Sequence, residues 1–157
     1  TFVQGAPLQG IHLAGTRDEG LVADNYRREN VPAYIGAFHH RMEEVYSASD
    51  LVVARAGAAS LAEFAAFSLP GILIPFPYAA DDHQTRNAEI YAHADAALLL
   101  KQSDISGESL ARKIRELMTD PERLPQMAAN CARLAPKDAA GRVASTMEKY
   151  TTHEAGV

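Results

Sequence analysis

Short apolar runs alternate with longer amphipathic stretches along almost the whole of this chain. The runs Ile11–Ala14, Ala33–Ile35, Leu51–Ala54, Ile72–Pro75 and Ala97–Leu100 are brief and mostly bordered by glycine or proline, as strands buried on both faces of a sheet are. Between and after them, apolar residues recur at helical spacing. That spacing predicts helices over Asp18–Glu29, His40–Ser47, Ser60–Phe67, Asp82–Ala92, Ser106–Met118, Pro121–Leu134 and Asp138–Tyr150. A βαβα order with short connections predicts an α/β fold, a parallel sheet with helices on both faces.

Helix starts are well punctuated. Asp120 places a capping carboxylate before Pro121 at the first helical position. Asp138 opens the last helix, and Ser106 or Asp104 opens the helix after the fifth strand. The extra C-terminal helices from Ser106 onward carry Leu110, Ile114, Leu117 and Met118 on one face, a pattern of packing rather than chemistry. Residues 151–157 are expected to fray, and there is no repeat, low-complexity tract or interdomain linker. The chain opens on Thr1-Phe2-Val3-Gln4 without Met. These residues read as the end of a helix, so a fragment of a longer protein is the expectation.

Composition narrows the function classes. With 157 residues, 47% hydrophobic and 22% charged, the chain can build one ordinary core. A net charge of −5 offers no basic face for nucleic acid. No apolar run approaches the ~18 residues needed to span a bilayer, and no signal peptide is expected. The single Cys131 cannot form an internal disulfide, reads as a core residue in a helical pattern, and fits a reducing, cytoplasmic compartment.

Two strand–loop–helix units hold the candidate chemistry. In the first, Arg55-Ala56-Gly57-Ala58-Ala59-Ser60-Leu61-Ala62-Glu63 follows a strand, and glycine with small neighbours lets a ligand approach the backbone. Free N–H groups at Ala58, Ala59 and Ser60 would favour an anion by ~0.3–1 kcal/mol, or ~2 if partly buried. A purely structural reading stands beside this one, because Ser60-x-x-Glu63 also matches a capping box. In the second unit, the polar loop from Pro75 leads to Asp82 as N-cap, with His83 and Gln84 in the first turn and Asn87 one turn on. If adjacent strands carry the two units, Gln84 and Asn87 neighbour Ser60 and Glu63. The expectation is that Glu63, Gln84 and Asn87 converge on one crevice at the rim of the sheet.

Other candidates fall away. His39-His40 lacks the partner spacing of a metal site. His-Glu-x-x-His, P-loop and Gly-x-Ser-x-Gly patterns are absent, and His12 reads as structural. No metal or cofactor is expected.

Taken together, the segments resemble the C-terminal half of the MurG-type glycosyltransferases over most of the chain. His12-Leu13-Ala14-Gly15 is similar to that family's His-Gln-(Ser/Thr)-Gly strand end. Phe38-His39-His40-Arg41-Met42 resembles its Phe-Ile-x-x-Met loop. Asp50–Leu69 resembles its long block built on Arg-(Ser/Ala)-Gly-Ala and a downstream Glu, and Pro75–Asn87 its Pro-(Phe/Tyr)-Pro block ending in His-Gln-x-x-Asn-Ala.

The resemblance implies a Rossmann-like domain, the C-terminal half of a GT-B glycosyltransferase, that holds UDP-N-acetylglucosamine. It implies that Glu63 accepts hydrogen bonds from both ribose hydroxyls and that the backbone at His39 meets the uracil edge. Ala58, Ala59 and Ser60 would face the diphosphate and sugar. His83 and Gln84 would bind sugar hydroxyls, with Asn87 in support; many relatives have Gln-Gln where this chain has His-Gln. Residues 1–150 are then a donor-binding domain without its first strand and Gly-Gly-Ser-x-Gly phosphate loop. The N-terminal domain, with the acceptor site, the membrane contact and the catalytic base, would lie outside the chain.

The activity so implied is inverting, metal-independent transfer of N-acetylglucosamine to lipid-linked muramyl-pentapeptide in peptidoglycan synthesis, at the cytoplasmic face of the bacterial membrane. This chain alone would be inactive. Rival readings are another GT-B sugar transferase, a UDP-N-acetylglucosamine epimerase of the same fold, and a non-catalytic UDP-sugar-binding subunit of a split enzyme.

Overall fold

The computed structural model describes residues 8–78 and 82–151. Its elements run in the order β1 (Gly10–Leu13), α1 (Gly15–Arg28), β2 (Ala33–Gly36), α2 (Met42–Ser47), β3 (Val52–Ala54), α3 (Ala58–Ala66), β4 (Gly71–Leu73), α4 (His83–His93) and β5 (Ala97–Leu99). A 3-10 turn at Gln102–Asp104 leads to α5 (Gly107–Thr119), α6 (Arg123–Arg133) and α7 (Ala139–Thr151). Every expected strand and helix is present, with boundaries shifted by up to three residues. The expected frayed tail and opening helix end lie outside the described residues, apart from Thr151, which closes α7.

All pairings are parallel, but the strands form two sheets. β1 pairs with β2 in the register Gly10–Ala33 to Leu13–Gly36. β4 lies between β3 and β5, with Val52 opposite Gly71 and Gly71 opposite Ala97. No ladder joins β1 to β3 among the described residues. A cleft of about 690 Å³ separates them, lined by His12 and Leu13 on one side and Val53 to Arg55 on the other. The single continuous sheet that the alternation predicts is thus divided where β1 and β3 would meet.

Strand β4 organises the core. Side chains of successive strand residues point to opposite faces, and Ile72 and Leu73 are both fully buried. Leu73 packs with Leu61, Phe64 and Ala65 of α3, Tyr91 of α4 and Tyr46 of α2. Ile72 packs with Leu117 of α5 and Met127 of α6, with Leu110 and Ile114 against them. The amphipathic face expected of α5 therefore covers the sheet side opposite α3 and α4. Helices on both faces follow from this one strand.

Caps explain several boundaries. Ser106 caps α5 by accepting from the Ser109 N–H, while the Ser109 hydroxyl accepts from the Ser106 N–H. Asp120 accepts from the N–H groups of Glu122 and Arg123, so it punctuates the start of α6 although the helix proper begins two residues after Pro121. Asp138 accepts from the Gly141 N–H at the head of α7. The expected cap at Asp82 takes another form. Asp82 adopts a left-handed conformation (φ 52°), caps no N–H, and accepts instead from the Thr85 hydroxyl at 2.6 Å.

Cys131 is fully buried, donates its thiol to the Leu69 carbonyl at 3.4 Å, and has its pKa pushed up to about 11 by burial. It is a core residue, as expected. A second long-range tie fixes α6. Arg123 grips Asp95 with both guanidinium nitrogens at 2.6 Å, and Asn130 donates to the Asp95 carbonyl. The Arg123 hydrogen bonds hold the Asp95 carboxyl below the usual carboxylate range. A depressed folded-state pKa gives stability that is present above the ordinary aspartate value near ~4 and lost as pH falls through the folded value. Asp95→Asn keeps tolerance of the local φ of 57°. It is expected to melt below the parent at pH 7, the gap narrowing as the pH falls below ~4; a gap that does not change with pH would show that the pair contributes nothing.

Candidate functional site

Because the strands are parallel, the loops after β2, β3 and β4 all leave from carboxyl ends of strands. Such strand ends face helix N-termini, the common position of ligand sites in α/β folds. His39 lies in the loop after β2, Ala58 to Ser60 begin α3 after β3, and His83 to Asn87 begin α4 after β4.

The start of α3 differs from the capping-box reading. Gly57 is the N-cap, in ordinary extended backbone (φ −69°, ψ 139°), and no side chain caps the helix. Ser60 lies inside the first turn. The first helical bond runs from the Leu61 N–H to the Gly57 carbonyl at 3.0 Å. Ala58, Ala59 and Ser60 therefore carry the N–H groups that a helix start leaves without helical partners. Gly57 is not required by its φ. A Cβ there would meet only the Ser60 hydroxyl, at 4.0 Å, so the glycine leaves space beside these donors.

Glu63 turns away from Ser60 altogether. Its Oε2 accepts from the Tyr46 hydroxyl at 2.7 Å, which removes the capping box and leaves the carboxylate beside α2. At ~1.5 Å rise per residue, Glu63 lies roughly 8 Å along α3 from Ala58. Tyr46 is buried, set edge-on to the Phe64 ring at 5.6 Å and packed on Phe67 at 5.5 Å. Burial, then the hydrogen bond to Glu63 and its charge, pushes the phenol pKa up to about 12.

Helix α4 reaches the same helix start from the other flank. Asn87 Nδ2 donates to the Ala56 carbonyl at 3.2 Å, and the Tyr91 hydroxyl donates to the Leu61 carbonyl at 2.6 Å. Gln84 Oε1 accepts from the Phe76 N–H at 3.0 Å, which fixes the chain leaving β4. Arg55 braces that exit, donating to the Ile74 and Pro75 carbonyls at 3.1 Å and lying 5.5 Å from the Phe76 ring centre. His83 is exposed on the first turn of α4. His39 sits edge-on to Tyr34 at 5.9 Å, with Nε2 3.5 Å from Glu44 of α2.

Asn87 thus ties α4 to the Ala56–Ser60 turn, while Gln84 is committed to the chain leaving β4, and Glu63 and His39 are committed to residues of α2. Of the three residues expected to share one crevice, Asn87 alone bonds to the turn before α3; Gln84 is bonded to the Phe76 N–H and Glu63 to Tyr46. None of them lines the 690 Å³ cleft, which lies in the division between β1 and β3 and borders the cluster at Arg55. Tyr46, Arg55 and Tyr91 were not singled out by sequence reasoning. Tyr46 and Glu63 stand 17 positions apart on different helices, a separation that no local motif spans. Among the described residues no group of three or more His, Cys, Asp or Glu could hold a metal ion, and no helix is long and apolar enough to cross a membrane.

With parallel strands and helices on both faces, the architecture is Rossmann-like. The chain belongs to the family described as the glycosyltransferase family 28 C-terminal domain, whose sequence profile matches residues 3–143. It is 43% identical over 140 residues to a protein of Geobacter sp. (strain M21) named UDP-N-acetylglucosamine–N-acetylmuramyl-(pentapeptide) pyrophosphoryl-undecaprenol N-acetylglucosamine transferase, covering 89% of this chain and 38% of that protein. A protein of the same name from Methylococcus capsulatus is 43% identical over 152 residues, covering 97% and 42%. The crystal structure of Acinetobacter baumannii MurG superposes with a TM-score of 0.84 at 30% identity, covering 92% of this chain and 42% of that one. The fold is accordingly that of the C-terminal half of a GT-B enzyme, and the chain spans about two fifths of the length of these relatives.

Proposed function

We propose that this chain is the donor-binding domain of an inverting glycosyltransferase that moves N-acetylglucosamine from UDP-N-acetylglucosamine to lipid-linked muramyl-pentapeptide. The observation that carries the reading is the Asn87 bond to the Ala56 carbonyl at 3.2 Å. It draws the polar first turns of α4 alongside the uncapped start of α3, where donors for a diphosphate and amides for a sugar lie together. The names of the relatives support the substrate pair.

In this reading the N–H groups of Ala58, Ala59 and Ser60 bind the diphosphate, and their helix N-terminus stabilises negative charge as it leaves. Glu63, which can only accept, takes both ribose hydroxyls. The backbone at His39 meets the uracil edge. His83 and Gln84 bind sugar hydroxyls, and Asn87 holds α4 in place. The acceptor 4-hydroxyl oxygen bonds to the anomeric carbon, the bond from that carbon to the diphosphate breaks, and its electron pair leaves with UDP. The hydroxyl proton passes to a base outside residues 1–157. Positioning and electrostatics, with no metal or cofactor, supply the catalysis.

The remaining parts of the enzyme follow the same proposal. Residues 1–150 form the donor domain, and the cleft between β1 and β3 is the space for a further parallel strand that would unite the two sheets. The acceptor site and a peripheral contact with the cytoplasmic face of the bacterial membrane belong to another domain. The test is calorimetric titration of the complete reading frame with UDP-N-acetylglucosamine, UDP-glucose and UDP. Preference for the first supports the assignment; equal affinity for the two sugars removes the N-acetyl specificity.

Gln84→Ala is expected to weaken UDP-N-acetylglucosamine by roughly two- to tenfold while weakening UDP by less, because an uncharged hydrogen bond is worth ~0.5–1.5 kcal/mol. Equal losses for both ligands would mean that Gln84 only braces the Phe76 N–H and does not touch the sugar.

A further inference from the structure

We propose that Tyr46 is a positioning residue for nucleotide recognition: its buried hydroxyl sets the Glu63 carboxylate in the orientation that accepts a ribose diol. The inference rests on the reading of Glu63 as the ribose ligand. Three observations carry it. The Tyr46 hydroxyl donates to Glu63 Oε2 at 2.7 Å across two helices. Glu63 itself is exposed, and no ion pair involves it among the described residues. Tyr46, by contrast, is buried and packs on the rings of Phe64 and Phe67, which restrain it.

An exposed glutamate without such a partner samples several rotamers, and ordering a side chain of this kind costs up to ~2 kcal/mol of entropy when a ligand arrives. A rigid donor on one oxygen removes part of that cost beforehand. It also leaves the acceptor capacity that a diol needs. An ionised carboxylate has about four lone-pair sites; Tyr46 takes one, which leaves about three for a diol. The donor is protonated at neutral pH, as an ordinary phenol is, and burial with the adjacent carboxylate pushes its pKa up further to about 12. The arrangement is thus a fixed, partly filled acceptor rather than a switch.

The experiment measures binding of UDP and of 2′,3′-dideoxy-UDP to the complete reading frame carrying Tyr46→Phe, Glu63→Gln, or both. Tyr46→Phe keeps the ring and its packing on Phe64, and a melting curve checks that the fold survives. The expected result is roughly three- to tenfold weaker UDP binding in Tyr46→Phe, unchanged dideoxy-UDP binding, and no added loss when Tyr46→Phe is placed on Glu63→Gln. If Glu63→Gln discriminates against the ribose hydroxyls but Tyr46→Phe weakens both ligands alike, or neither, the positioning role is overturned and the ribose assignment stands. Where Glu63→Gln leaves the ratio between the two ligands unchanged, the ribose assignment itself fails, and the role of Tyr46 with it.

Discussion

Glu63→Ala is expected to raise the KM for the sugar nucleotide roughly 10- to 150-fold in the complete reading frame, with the melting temperature close to that of the parent. Hydrogen bonds to a charged group contribute ~1.5–3 kcal/mol, and 1.4 kcal/mol is about tenfold in affinity. The lower part of that range applies if water screens Glu63, which is exposed in the unliganded domain. Stability changes little because the carboxylate caps no helix. Its bond is to Tyr46, and losing that one part-buried hydrogen bond is expected to cost about 1 kcal/mol. Steady-state kinetics beside calorimetric melting separate the outcomes. A drop in melting temperature with unchanged KM would show that Glu63 serves the α2–α3 contact alone.

The second large effect is on folding. Leu73→Ala is expected to destabilise the domain by about 2–5 kcal/mol, the range for truncating a fully buried leucine where neighbours cannot collapse into the space. Leu73 is 1% exposed. It packs beneath α3 and α4 at once, so the hole opens under the helices that carry Glu63, Gln84 and Asn87. Urea unfolding should show a lower midpoint with an unchanged slope. A loss below about 1 kcal/mol would mean that the helices settle onto β4, and that this core is softer than its burial implies.

Strand β4 also illustrates what the sequence alone makes legible. Its run Ile72–Pro75, flanked by Gly71 and followed by a polar loop, is apolar on both faces, and the structure buries Ile72 and Leu73 in two separate clusters. Periodicity and punctuation suffice for such elements because the backbone period alone decides which face each residue joins. The caps at Ser106, Asp120 and Asp138 were legible for the same local reason.

What failed to show is non-local. Ser60 resembles an N-cap because Ser-x-x-Glu has the spacing of a capping box, yet the chain turns into α3 three residues earlier, at Gly57. Glu63 is then drawn to a tyrosine on another helix, a partner that no window of sequence contains. Asp82 resembles a cap for an equally local reason, but its left-handed backbone commits the carboxylate to Thr85. The division between β1 and β3 depends on strand order in space, which alternation does not encode.

Gly57 at the head of α3 has a consequence for how the domain responds to its ligand. A serine or aspartate in that place would stabilise the helix by only a few tenths of a kcal/mol over glycine, but its side chain would occupy the donors that Gly57 leaves open. With glycine there, an arriving anion takes over the task of neutralising the helix end. In the proposed reading, occupancy by a nucleotide diphosphate would therefore add to the stability of α3 as it binds.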